Sequence, residues 1–234
     1  MYNVMGIREN VKALKDEISE VALRSGRNPD DITLVAVSKT FQEEHVREGY
    51  DAGLRVFGEN RIQEAEGKIN NIKDLEITWN LVGHLQSNKA KKAVGLFSMI
   101  QSIDKISTLE KVDIFAGELG KKQNILIEVN TSGEGSKFGI DPADVSSFLS
   151  SAKAYSHVQI NGLMTIGPFT EDISKIRDSF LVLRDKYQEA TAKFPQLEMD
   201  TLSMGMTDDF KVAIECGSNM IRIGRKIFGS RSMM

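Results

Sequence analysis

Lys39 stands at the end of "ITLVAVSK", where Ile32, Leu34, Val35, Ala36 and Val37 make a near-continuous apolar run. A run of this kind reads as a strand buried on both faces, so its lysine is delivered from the interior to a strand tip. Desolvation and nearby cations lower a lysine pKa, and the neutral amine that results can form a Schiff base with a carbonyl. Taken alone, Lys39 reads as a solvated strand-end lysine. Two glycine-bearing tips near the C-terminus change that reading. "SMGM" offers the Ser203 hydroxyl and a close backbone approach at Gly205, and "RIGR" offers the amides of Gly224 and Arg225 at the start of a short segment. Such donors at a helix start suit a phosphate group.

These residues need a scaffold that brings strand tips together. The 234 residues, 41% hydrophobic, suffice for one full core. Short β-rich runs at "ITLVAVS", "LRVFG", "ITWNLVG", "FSMIQS", "NILIEVN", "VQINGLMTIG", "MDTLSMG" and "NMIRIG" are mostly followed by charged amphipathic stretches. About eight strand-helix units predict a single TIM-type (β/α)8 barrel spanning 1–234. A doubly wound open sheet is the competing fold, but no G-x-G-x-x-G follows a strand. Ahead of the barrel, Val4, Ile7, Val11, Leu14, Ile18 and Val21 recur at helical spacing and predict an extra N-terminal helix within 1–26. "EDISKIRDSFLVLRDKYQEATAKF" predicts the longest helix, with Ile173, Ile176, Phe180 and Leu183 on its packed stripe.

Composition excludes several function classes. Thirty basic against 33 acidic residues give a formal charge of -3, which argues against nucleic acid or an anionic membrane as the main partner. One cysteine and three scattered histidines provide neither a disulfide framework nor a metal cluster. The start "MYNVMGIREN" has no signal-like apolar segment, and no stretch approaches bilayer-spanning length, so a cytoplasmic protein, acting as a monomer, is expected. Cys216, after "VAIE", reads as a packed small hydrophobe, and "SNKAKKAV" as a solvated helix face.

If the barrel forms, the residues just after its strands share one rim. An amine, a phosphate cradle and one further polar contact are what pyridoxal 5'-phosphate requires. The third contact falls to Arg222, which alternates with Ile221 and Ile223 and would point into the barrel. There it would donate to the pyridine nitrogen and make the cofactor a weak electron sink. Equally open is a salt bridge from Arg222 to an interior acid such as Glu128 or Glu215.

Taken together, "LVAVSKT", "FGENRIQEAEGK", "GHLQSNKAKK", "IEVNTSGEGSKFGI", "GLMTIGP" and "SMGMTDDFKVAIECGSNMIRIGRKIFG" resemble the pyridoxal phosphate homeostasis protein family over about 32–229. The resemblance implies a fold-type III, alanine-racemase-like barrel without the racemases' second β-domain. It implies pyridoxal 5'-phosphate held as an internal aldimine on Lys39, with Ser203, Gly224 and Arg225 at its phosphate. It also places Arg222 near the pyridine nitrogen and Asn60 near the ring face. Many relatives carry threonine where Arg225 stands, so any hydroxyl contact there is replaced by the backbone amide alone. The implied role is intracellular buffering and delivery of the cofactor, with PLP-dependent apo-enzymes as recipients and no robust catalysis.

Two alternatives compete with that role. An amino-acid racemase needs acid/base groups on both faces of the cofactor, and beyond Lys39 only His84 offers itself, the tyrosines (Tyr2, Tyr50, Tyr155, Tyr187) being assigned to helices or the tail. A cofactor-free Schiff-base aldolase would use Lys39 on a phosphorylated sugar. "TSGEGSKFGI" lacks a P-loop pattern and reads as a lid over the rim, in which Lys137 is a candidate to receive the cofactor.

Overall fold

The computed structural model describes residues 6–135 and 137–229. Eight parallel strands close into a barrel in sequence order: β1 (Thr33–Val37), β2 (Val56–Glu59), β3 (Thr78–Leu81), β4 (Met99–Ile103), β5 (Gln123–Glu128), β6 (Val158–Met164), β7 (Thr201–Ser203) and β8 (Met220–Ile223). Closure is made by β1 pairing with β8, with Val35 opposite Arg222 and Ala36 opposite Ile223. The strand-helix alternation of the sequence is therefore realised as a closed sheet, and the open-sheet alternative falls.

Alternation along each strand sorts side chains into two layers. Phe57, Leu81, Ile100, Ile125, Ile127, Leu163, Leu202, Ile221 and Ile223 belong to the large apolar cluster beneath the helices. Val35, Val37, Val82, Leu126, Met164 and Met220 form a separate cluster inside the barrel. The interior is thus a packed core, as barrels of this size require.

The outer layer comprises α2 (Glu43–Asp51), α3 (Ile62–Asn71), α4 (Ala90–Leu96), α5 (Ile106–Glu118), α6 (Val145–Ala152), α7 (Ile173–Lys193), α8 (Phe210–Glu215) and the short α9 (Arg225–Phe228). Before them comes α1 (Ile7–Arg24), whose Ile7, Val11, Leu14, Ile18 and Val21 are all buried. Burial of that stripe, on the order of 1.5–3 kcal/mol per side chain, docks α1 against α2, α8 and α9. Asn10 reinforces the seat by donating to the Ile227 carbonyl at 3.0 Å. Val4 lies outside the described residues.

Two expectations are corrected. Ile173 is 61% exposed: it is the first residue of α7, directly after the Asp172 cap, and the buried stripe begins at Ile176. Tyr155 follows α6 instead of lying on a helix. Tyr50 and Tyr187 are helical, on α2 and α7, and Tyr2 is outside the described residues. Among the described residues no helix is long and apolar enough to cross a membrane.

Candidate functional site at the C-terminal rim

Val35 and Val37 point inside the barrel, and Lys39 is the second residue past β1. Below it the strand tip is clamped from outside. Ser38 Oγ donates to Glu59 Oε1 at 2.7 Å, Lys68 Nζ reaches the same oxygen at 2.6 Å, and Lys68 also donates to the Ser38 carbonyl at 2.9 Å. Both Glu59 and Lys68 are buried. Burial pushes the Glu59 carboxyl upward, against the opposing pull of Lys68. Thr40, just beyond Lys39, sits at φ 69°, and its N–H is held by the Glu64 carboxylate. A left-handed threonine is uncommon and costs backbone energy. The surrounding bonds hold the chain there and turn it sharply away once Lys39 has been presented.

Gly224 lies beside that tip. A Cβ built on it would stand 3.1 Å from the Val37 carbonyl oxygen, so the last rim loop passes directly over the end of β1. Gly224 is the N-cap of α9, and the first-turn amides of a helix have no partner within it. The Arg225 side chain turns outward to pair with Asp208, leaving its backbone N–H as its contribution at the rim. Gly205, on the neighbouring loop, has φ +97°, and a Cβ there would come within 2.5 Å of Ala213 Cβ. Only glycine fits this turn between β7 and α8.

Arg222 points inward, as its alternation with Ile221 and Ile223 requires, and is buried. Nη1 donates to Ser203 Oγ at 2.5 Å and Nη2 to the Thr165 carbonyl at 2.7 Å. Ser203 Oγ in turn donates to Gln101 Oε1 at 2.8 Å. Desolvation lowers the Arg222 pKa to about 10, with Asp209 and Glu128 acting against it, so the guanidinium stays charged at neutral pH. Of the two candidate partners for a salt bridge, Glu215 is corrected: it lies on α8 and pairs with Arg177 at 2.5 Å outside the barrel. Glu128 is inside, where it acts on Arg222 through space without a hydrogen bond to it.

On the opposite side of the rim the polar groups are less satisfied. Glu128 ends β5 only 4% exposed, and its Oε2 has no hydrogen-bond partner. Burial, with the Asp104 charge adding to it, raises its pKa to about 7 despite Arg222. Asp104 Oδ1 and His84 Nδ1 are likewise buried without hydrogen-bond partners, and Asp104 Oδ2 faces His84 Nδ1 at 3.7 Å. Phe138, from the loop after β5, stacks flat on the His84 ring, centroids 3.7 Å apart and planes 9° apart. Lys137 ties the same loop to the neighbouring loop after β6, donating to the Gly167 carbonyl at 3.0 Å. Asn60, half-buried past β2, lines a separate recess with His84.

The structure thus gathers Lys39, Ser203, Arg222, Gly224 and Arg225 on the adjoining tips of β7, β8 and β1, with Asn60 one strand further on. Sequence reasoning missed the Glu59–Lys68 clamp, Gln101, Asp104, Thr165 and Asp209. Gln101 carried a usable signal, being an amide at an inward position of a strand; Lys68, on a helix, carried none. Cys216 is packed in the outer core as expected, its thiol pushed up chiefly by burial.

Comparison with known proteins supplies the remaining observations. The family model described as alanine racemase, N-terminal domain, matches residues 7–232. The pyridoxal phosphate homeostasis protein of Aquifex aeolicus is 36% identical over 227 residues, covering 97% of this chain and 99% of the relative. PipY of Synechococcus elongatus, solved without PLP, superposes with a TM-score of 0.88 at 38% identity, covering 95% of this chain and all of PipY. PipY with PLP bound gives 0.81 at 40% identity over 91% of this chain. An alanine racemase from Clostridium difficile shares the fold at 16% identity and TM-score 0.71, and this chain spans 57% of its length.

Proposed function

Because the chain belongs to the pyridoxal phosphate homeostasis protein family, we propose that it binds pyridoxal 5'-phosphate at the C-terminal rim, holding it covalently through Lys39 for storage and delivery. One observation carries this reading. The amide-bearing turn after β8 lies against the end of β1, the Gly224 backbone beside the Val37 carbonyl, two residues before Lys39. An aldehyde and a phosphate on one small ring can therefore be held together.

The donor set fits such a group. Gly224 and Arg225 would supply backbone N–H groups to the phosphate, and Ser203 would join them by exchanging its bond to Gln101. Arg222, fixed by Ser203 and Thr165, would face the pyridine nitrogen, and Asn60 the ring. When bound, the cofactor supplies an aldehyde carbon that amines attack and a ring that withdraws electrons. With its permanent guanidinium beside the ring nitrogen, Arg222 would leave that nitrogen unprotonated and so limit the electron withdrawal. This supports a carrier without robust turnover; we further propose that it acts in the cytoplasm as a monomer, with PLP-dependent apo-enzymes as recipients. PipY, 40% identical, has been solved with PLP bound.

A racemase reading draws on His84, Asp104 and Glu128, acid/base groups at the tips of β3, β4 and β5, each with a buried atom that has no hydrogen-bond partner. Phe138 covers the imidazole, which argues against it as the working base. One set of measurements separates the readings. The purified protein should be yellow, borohydride should fix the chromophore on Lys39, and apo-enzyme should bleach the band as it regains activity. Retention of the band in Lys39→Ala would place the cofactor elsewhere; sustained racemisation of alanine or serine would make the protein an enzyme.

A further inference from the structure

A recess of about 520 Å³ opens between the tips of β2 and β3, lined by Asn60, Arg61, Ile62, Gln63, His84, Gln86 and Lys89. No carboxylate lines it. Charges nearby are mostly paired: Lys92 with Glu66 at 2.7 Å, Lys91 with Glu118 at 3.3 Å, and Glu64 with Lys68 at 3.5 Å. Among the described residues, Arg61 and Lys89 have no acidic partner. Two cations sharing a recess without a counter-charge repel each other, and a bound anion would relieve that repulsion. The amides of Gln63 and Gln86 add further donors, and His84, whose Nδ1 faces Asp104 Oδ2 at 3.7 Å, stands on the wall. The positive pole of α3, ten residues long, faces the same way, since its first residues line the recess.

We propose that this recess is a second anion site that binds a small phosphate monoester, held by Arg61 and Lys89. Arg61 can meet two phosphate oxygens with its planar fork, while Lys89 acts as a point charge. The volume admits a molecule with a ring as well as the phosphate, and His84 on its wall, backed by Phe138, offers a flat face for that ring. Asn60 and His84 also belong to the rim of the proposed cofactor site, so the recess adjoins it. Its existence does not depend on that site being used; only a role in admitting ligand to Lys39 rests on the proposed function.

Amide-resolved NMR titration of the full-length apo-protein with inorganic phosphate, glycerol 3-phosphate and pyridoxine 5'-phosphate tests this. None of the three carries an aldehyde, so none can react with Lys39. Saturable shifts at Ile62, Gln63 and Gln86 are expected, weakened at least tenfold in R61A/K89A. Shifts at Gly205, Gly224 and Arg225, which report the cofactor cradle, should persist in that variant, so failure at one site is read separately from failure at the other. Equal affinity for the three probes would mean that the phosphate alone is recognised; tighter binding of the pyridine ester would mean that the ring is read too. Either result supports the site. The proposal is overturned if the recess amides do not saturate, or if R61A/K89A binds as wild type. It is also overturned if an acidic peptide saturates them at concentrations where none of the three esters does.

Discussion

The two halves of the barrel mouth handle buried polar groups in opposite ways. On the β7–β8 side, Arg222, Ser203, Gln101 and Thr165 form a chain of bonds at 2.5–2.8 Å. On the β3–β5 side, Glu128, Asp104 and His84 each keep a buried atom without a hydrogen-bond partner. A satisfied network fixes side-chain positions before a ligand arrives, whereas unpartnered buried groups raise the energy of their charged forms and shift their pKa values. The first half holds its own side chains in place. In the second, burial raises the Glu128 carboxyl pKa to about 7.

That contrast can be broken most forcefully at Arg222. Arg222→Ala removes donors to Ser203 and Thr165 and opens a cavity, and should cost about 3–5 kcal/mol in urea unfolding of the apo-protein. A loss below about 1 kcal/mol would show the network to be slack. The opposite sign is expected at Glu128. Its folded pKa, about 7, lies above the ordinary glutamate value of 4.5, so the wild type is relatively most stable below pH 4.5 and loses that advantage as pH rises through 7. Glu128→Gln, which stays neutral, should match the wild type near pH 4.5 and exceed it by about 3 kcal/mol at pH 8. Equal unfolding midpoints at the two pH values would mean that Glu128 is not held at high energy.

Ser203→Ala should weaken cofactor affinity by about 1.5–3 kcal/mol, through loss of one charge-assisted bond. Unchanged affinity would confine Ser203 to the bonds it makes with Gln101 and Arg222. The smallest effect belongs to the cover of the less satisfied half: Phe138→Ala removes one ring stack on His84, about 0.5–1.5 kcal/mol. It should show as faster hydrogen exchange in the loop after β5, with global stability little changed.

Much of this was readable along the chain because it depends on local pattern. The eight β-rich runs coincide with the eight strands, and parity alone sent Arg222 inward between two isoleucines that pack outward. Parity could not tell which acid would share its interior. Glu128 does so because it ends an inward-facing series on β5, while Glu215 falls on α8 and is drawn outward to Arg177. Ile173 was misjudged for a related reason: its spacing matches the buried stripe, but a first-turn residue sits beyond the edge of the surface that α7 covers.

By itself, the order of residues determined the strand-helix alternation, the apolar faces and the glycines that permit the rim turns, since these follow from periodicity and backbone sterics within a few neighbouring positions. Tertiary structure alone decided that Lys68 and Glu59 would clamp the Lys39 tip, that Gln101 would meet Ser203 from 102 residues away, and that Arg61 and Lys89 would share a recess without a counter-charge. The physical reason is closure: bending eight strands into a ring brings distant tips within hydrogen-bond range, and burial there sets the charge each group can carry.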